Sequence, residues 1–186
     1  FNRMNFCSQC GGPLTLKVPD DDDRPRHVCP ACGTIHYQNP KLVVGWIPVW
    51  DDRILMCRRN IEPRKGYWTL PAGYLENEET AAAGARRETL EETGSTVVDL
   101  TPYLMVDIVH IHQIYLMFRC RLPAPDFHPT RESAEVKLVD IDAIPWDRIA
   151  FKVIEMTLRY YLQDRSTGNF SFRTDTIDRR QHAIVG

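Results

Sequence analysis

Glu88, Glu91 and Glu92 stand at i, i+3 and i+4, which puts three carboxylates on one side of an α-helix within about one turn. Exposed like charges at that spacing repel, at a cost on the order of a few tenths of a kcal/mol per pair. A divalent cation reverses the sign of that cost, and hard oxygen ligands suit Mg²⁺ or Mn²⁺. The competing reading is a solvated acidic face, the ordinary meaning of a charge run. A second set of residues opens the chain: Cys7 and Cys10, then Cys29 and Cys32, at the spacing of a four-thiolate zinc site. Glycine-bearing turns follow each pair, at Gly11-Gly12-Pro13 and at Gly33, and let a tight loop wrap a metal. Four protein ligands leave no open position, so this Zn²⁺ would be structural, stabilising a segment too short for a core of its own. Two disulfides are the alternative. Cys57 and Cys120 lie in apolar runs and read as buried thiols.

The glutamates need a helix with defined ends. Thr80 is a good N-cap, and Gly94 suits the position after a helix running from Ala81 to Thr93. On the glutamate face, Gly84 and Ala81 would leave open space, with plain helix packing as the other explanation. Strands are expected at Leu42 to Trp50 and Arg53 to Arg58, around a turn at Asp51-Asp52, and at Tyr67 to Leu70 before the loop at Gly73. Further strands are expected near Thr96 to Leu100, Leu104 to Val109, Gln113 to Arg121 and Glu135 to Asp140. The alternation of His110 and His112 would face both to one side of a strand. Trp146 to Asp164 carries a helical apolar face, and residues 166–186 show no clear period and stay unassigned. Asn39-Pro40 reads as a hinge, dividing a ribbon over residues 5–38 from a domain over residues 39–165.

The chain has 186 residues, 43% apolar and 26% charged, enough for one ordinary domain plus a small module. A formal net charge of -2 makes duplex nucleic acid an unlikely partner, without excluding a capped RNA. No apolar run reaches the length of a membrane helix. Phe1-Asn2-Arg3-Met4 carries no targeting signal, Met4 reads as a natural start, and free-thiol usage points to a reducing, cytoplasmic setting.

Gly73, Glu79, Arg87-Glu88, Glu91-Glu92 and Gly94 together resemble the Nudix box of nucleoside-diphosphate-X hydrolases, and the lead-in Gly66 to Gly73 is similar to that family's strand and loop. Thr89 and Ser95 depart from it, standing where the family prefers bulky aliphatic packing residues. The resemblance implies an α/β fold, a three-layer α/β/α sandwich with a mixed sheet, preceded here by a zinc ribbon. That combination is similar to the branch holding NADH pyrophosphatases and plant FAD pyrophosphatases. Tyr37 to Lys41, Cys57 to Asn60 and Trp68 to Tyr74 look closest to the latter.

The same resemblance implies Mg²⁺ or Mn²⁺ on Glu88, Glu91 and Glu92, with the carbonyl of Ala72 completing the coordination, and makes the space at Gly84 and Ala81 room for a polyphosphate. Arg87 would pair with Glu79 to position a neighbouring glutamate, phosphate binding being its other possible role. Glu135 ranks ahead of Glu132 as general base. Arg58, Arg59 and Lys65 could meet phosphates, and Trp46, Trp50, Tyr74 or Phe127 could stack a base if they are not core. A homodimer is implied as well. The implied reaction is hydrolysis of the pyrophosphate in a nucleoside diphosphate linked to another moiety, FAD-like or ADP-ribose-like, giving AMP and a phosphate ester. The alternatives are an NADH pyrophosphatase or NAD-cap-removing enzyme, and a non-catalytic nucleotide sensor. Against the NADH reading, Asp107 to Tyr115 stands where that group carries a Ser-Gln-Pro-Trp-Pro-Phe-Pro array. Ile111 occupies the place of a proline frequent in ADP-ribose hydrolases.

Overall fold

The structure, a computed structural model, describes residues 4–178. The chain forms two compact units that meet in sequence between Asn39 and Pro40. In the first, β1 (Thr15–Lys17), β2 (Arg26–Val28) and β3 (Ile35–His36) make an antiparallel sheet in that order.

The second unit is built on an eight-stranded mixed sheet. Its elements are β4 (Lys41–Trp50), β5 (Arg53–Arg59), β6 (Trp68–Thr69), β7 (Ala72–Tyr74), α1 (Ala81–Thr93), β8 (Val98–Ile108), β9 (Gln113–Arg121), β10 (Ser133–Asp140), α2 (Lys152–Thr167) and β11 (Arg173–Ile177). The strands run β10-β5-β4-β9-β8-β11, with β6 on β5 and β7 on β4; β4–β9 and β8–β11 are the parallel pairs. Successive strand residues point to opposite faces. Val44, Trp46, Leu55, Cys57 and Phe118 therefore pack on the α1 side with Ala85, while Ile47, Ile54, Met56 and Met117 pack on the α2 side with Ile154 and Leu158. Each such fully buried side chain contributes about 1.5–3 kcal/mol. The α/β/α sandwich expected from the resemblance is the fold observed.

Four local expectations change. The two strands expected between Thr96 and Val109 are one, β8, which absorbs the break through register shifts at Val98/Thr101 and Pro102/Leu104; a bulge accommodates a proline that cannot donate to the ladder. Val109–Ile111 is a 3-10 turn and His112 has φ 55°, so the two histidines do not alternate along a strand. The expected helix from Trp146 splits into a 3-10 turn, Trp146–Arg148, and α2, separated by Phe151 in an extended conformation. Arg173–Ile177, unassigned in sequence, is an edge strand parallel to β8. It is held by polar contacts that hydropathy does not register. The Tyr103 hydroxyl donates to Asp164 at 2.5 Å, Arg173 ion-pairs with the same carboxylate, and the Tyr160 hydroxyl donates to Asp175 at 2.6 Å. Burial pushes the Asp164 carboxyl up, but the bonds from Arg173 and Tyr103 outweigh it and hold it below its ordinary range. Residues 179–186 of the unassigned tail lie outside the described residues. No described helix is long and apolar enough to cross a membrane.

Candidate active site

Helix α1 begins and ends as its sequence dictates. The Thr80 hydroxyl accepts from the Ala83 N–H at 3.1 Å, and Gly94, at φ 68°, turns the chain while its N–H donates to Leu90 O at 2.9 Å. The two departures from the aliphatic pattern are absorbed locally. Thr89 and Ser95 are both buried; the Thr89 hydroxyl donates to Ala85 O at 2.8 Å, and the Ser95 N–H donates to the Thr93 hydroxyl at 3.2 Å. β7 crosses close above the helix: a Cβ at Gly73 would lie 2.1 Å from Glu88 Cδ, so any side chain there would displace the Glu88 carboxylate. Gly84 does not open space for a polyphosphate. A Cβ there would meet Glu79 Oε1 at 2.8 Å and Leu75 Cδ1 at 2.9 Å, so the missing side chain makes room for the glutamate that faces Arg87.

Arg87 is the hub of the acidic cluster. Its guanidinium grips Glu79 through Nη2 at 2.7 Å and Nε at 3.1 Å, and its Nη1 donates to Glu88 at 2.8 Å and Glu91 at 3.1 Å. The pairing with Glu79 lowers that carboxyl. Glu92, 8% exposed, instead accepts the N–H of Ala72 at 3.1 Å. Burial, then the charge of Glu88, pushes the Glu92 carboxyl up to about 8, and burial raises Glu88 as well despite Arg87. A buried Glu92 and a half-buried Glu88, both raised by desolvation and by neighbouring carboxylates, form a donor set that a hard divalent cation would relieve. The residues present fit Mg²⁺ or Mn²⁺.

These groups open onto a cavity of about 720 Å³ lined by Glu88, Glu91 and Glu92 and, from other elements, by Arg59, Tyr74 and Glu132. Glu135 and Arg58, expected at the site, do not line it. They pair with each other at 3.0 Å, and Lys137 lies 3.7 Å from Glu135. In a regular ladder continuing from Ser133↔Arg59, Glu135 would oppose Cys57 on the α1 side. An extra residue at Ala134 puts it opposite Arg58 instead, on the face that Met56 shares with the α2 core. Of the four aromatics considered for base stacking, Tyr74 lines the cavity; Trp46 is fully buried, and Trp50 and Phe127 pack into the α1-side core. Lys65 is exposed and is not among the lining residues, whereas His110 is.

Three lining residues escaped the sequence reading. Gln113 donates to the Tyr74 hydroxyl at 2.9 Å, the ring of Phe151 lies 5.0 Å beneath the Arg59 guanidinium, and Tyr115 sits where burial raises its hydroxyl to about 12. Gln113 and Tyr115 alternate at the start of β9, a period-2 signal that was legible. Phe151 had none, because it becomes accessible only through the break before α2.

In the ribbon, Cys7, Cys10, Cys29 and Cys32 bring their sulfurs within 4.8 Å of one another. The Cys7–Cys32 and Cys10–Cys29 separations are 3.7 and 3.4 Å, and all four are free thiols. The edge of a tetrahedron with metal–sulfur bonds of about 2.3 Å is about 3.8 Å, so the cluster fits zinc and not a pair of disulfides. Burial opposes ionisation of Cys7, but the N–H groups of Gln9 and Cys10 and the His36 ring outweigh it and bring that thiol down to about 6.

A family model described as NUDIX domain matches residues 39–157, and one described as Nudix N-terminal, a zinc ribbon, matches residues 5–38. The chain belongs to the Nudix family. It is similar to the NAD-capped RNA hydrolase NudC of Chromobacterium violaceum, 28% identical over 163 residues that cover 86% of this chain and 59% of that protein. The protein of the same name from Stutzerimonas stutzeri is 34% identical over 105 residues, 54% of this chain and 34% of that one. The chain thus spans less than two thirds of the length of these curated relatives. Among solved structures, a NUDIX hydrolase from Nitrosomonas europaea is 48% identical with a TM-score of 0.90, covering 94% of this chain and 99% of that one. An ADP-ribose pyrophosphatase from Streptococcus suis, 20% identical with a TM-score of 0.60 over 75% of this chain and 100% of its own, shares the fold.

Proposed function

We propose that this Nudix protein is a divalent-metal-dependent pyrophosphohydrolase of NAD-type dinucleotides, free or at the 5′ end of RNA, releasing AMP or its RNA-linked counterpart and a second phosphate ester. The observation that carries the reaction class is the convergence of Glu88, Glu91, Glu92 and Glu132 on one cavity with Arg59 at its wall. The similarity to NAD-capped RNA hydrolases supports the substrate class over the FAD-like one.

Glu88, Glu91, Glu92 and the carbonyl of Ala72 would hold the metal, whose chemistry is charge neutralisation of the diphosphate and activation of a water. Arg87 keeps the glutamates in place through the ion pairs it already makes. Glu132 is the group placed to accept the proton of the attacking water. The water oxygen bonds to one phosphorus while the bond from that phosphorus to the bridging oxygen breaks, giving two phosphate esters. Arg59 faces the phosphates, and Tyr74, Tyr115 and Phe151 offer apolar and aromatic surface to the nucleoside parts.

An RNA extension is supported by two cations, one of them next in sequence to the lining residue Pro63. Arg64 and Arg148 both approach the Tyr67 ring, at 5.4 and 5.3 Å, with no carboxylate in ion-pair distance of either among the described residues. The FAD-like or ADP-ribose-like reading stays the second one, favoured by the turn Val109–Ile111, which occupies the segment where NADH-type relatives carry their proline-rich array. Every charged box position is present, which weighs against a sensor without activity.

The test measures nucleotide products from NADH, an NAD-capped oligoribonucleotide, FAD and ADP-ribose with Mg²⁺ or Mn²⁺. The expected order has the first two cleaved at least tenfold faster than the others. Faster cleavage of FAD or ADP-ribose would transfer the assignment to the second reading. No cleavage of any of them would remove the enzymatic one.

A further inference from the structure

The last carbonyls of a helix have no partner within it and must find one outside. In α1 two of them are taken by the loop between β9 and β10: His128 N–H donates to Thr93 O at 2.8 Å, and the Thr130 hydroxyl donates to Glu92 O at 3.3 Å. Gly94, at φ 68°, lies under the His128 ring, which a Cβ there would meet at 2.0 Å. The same Thr130 oxygen accepts the N–H groups of Glu132 and Ser133, each at 3.3 Å, and the Thr130 N–H donates to Ser133 O at 3.0 Å. On its other side Glu132 is pinned through its carbonyl, which accepts the Asn60 N–H at 2.8 Å. One hydroxyl therefore joins the backbone of a helix glutamate to the backbone of the loop glutamate that faces it.

We propose that Thr130 is a positioning residue: its hydroxyl sets Glu132 against the glutamates of α1 by bridging the Glu92 carbonyl to the Glu132 amide. This rests on the reading of Glu132 as the proton acceptor. The side chain itself does not touch the cavity's contents; its effect passes through Glu132. Thr130→Val preserves the shape and removes the hydroxyl, and Thr130→Ser restores it.

The experiment has one arm without turnover and one with it. By amide hydrogen exchange on the metal-free chain, T130V should lose at least about tenfold protection at Glu132 and Ser133, with the interior of α1 unchanged and T130S close to wild type. With NADH and Mn²⁺, T130V should lower kcat by about tenfold while KM stays within about twofold, and T130S should recover most of the loss. In an E132Q background, T130V should change kcat less than about twofold, because the group it positions is already disabled. Wild-type exchange in T130V overturns the bridge. A loss that multiplies with that of E132Q, or one seen where E132Q alone is fully active, means that Thr130 acts on the helix and not on Glu132. Full activity of E132Q with normal exchange changes in T130V sinks the role of Glu132, and this inference with it, while leaving the metal site in place. Should T130V lose its melting transition, Thr130→Ala takes its place in both arms: lost protection at Glu132 and Ser133 with an intact α1 supports the bridge, and wild-type protection overturns it.

Discussion

The two candidate metal sites of this chain are prepared to different degrees. In the ribbon, four sulfurs already stand at nearly the spacing of a tetrahedral ion, because each ligand pair is set by a short local turn: Gly11 N–H closes on Cys7 O and Gly33 N–H on Cys29 O, at 2.9 and 2.8 Å. In the hydrolase unit the glutamates share one helix face, yet their oxygens are engaged elsewhere, Glu88 and Glu91 by Arg87 and Glu92 by the Ala72 N–H. The thiolate cluster is shaped by two local turns whose four sulfurs match a tetrahedral ion. The carboxylate site is a balance among several elements, in which a bound cation competes with an arginine and a backbone donor. That difference is the one expected between a metal that would hold a fold and one that would take part in the proposed reaction.

The largest break in the comparison should come from the ribbon. Cys29→Ser should abolish stoichiometric zinc and unfold residues 5–38, seen as lost zinc in elemental analysis and collapsed amide dispersion for those residues alone. Retention of a folded, metal-free ribbon would contradict the structural role. In the hydrolase unit, Glu92→Gln should lower kcat by at least about a hundredfold without unfolding, as a metal ligand would; a loss below tenfold would remove it from the metal set. Glu132→Gln should cost on the order of a hundredfold and Glu135→Gln less than about threefold, a contrast that tests the bulge at Ala134 directly. If the two results were reversed, the loop would have to rearrange when substrate enters.

The smallest effect is in the pH dependence of metal uptake. A Glu92 carboxyl raised to about 8 is protonated at pH 7, and a cation needs it ionised. Affinity for Mn²⁺ should therefore rise with pH from 6 to about 8 and level off above it. Calorimetry at pH 7 in buffers of different ionisation enthalpy should show proton release on binding. Pairing of the same carboxyl with Arg87 instead of burial would have given no such release.

Much of the site was legible because its determinants are local. Thr80 and Gly94 bound a helix whose 3.6-residue repeat alone puts Glu88, Glu91 and Glu92 together, and the two cysteine pairs carry their own turns. What escaped was set by partners far along the chain. A single extra residue at Ala134 turns Glu135 away from the helix, whereas Glu132, in the loop before β10 and tied to Asn60, lines the cavity. β11 carries little apolar signal, being held by Asp164, Tyr103 and Arg173. Phe151 reaches the cavity only because the helix before it breaks.

By itself, then, the sequence determined the family, the helix ends, the carboxylate face and the two cysteine pairs, since each is written in residue types at fixed spacing along a short stretch of chain. Only the tertiary structure decided which loop acid meets that face, that Glu92 accepts the Ala72 N–H, and that the orphan carbonyls of α1 are taken by Thr130 and His128. Those outcomes depend on strand register and on hydrogen bonds between distant segments, where a shift of one residue turns a side chain to the other side of the sheet.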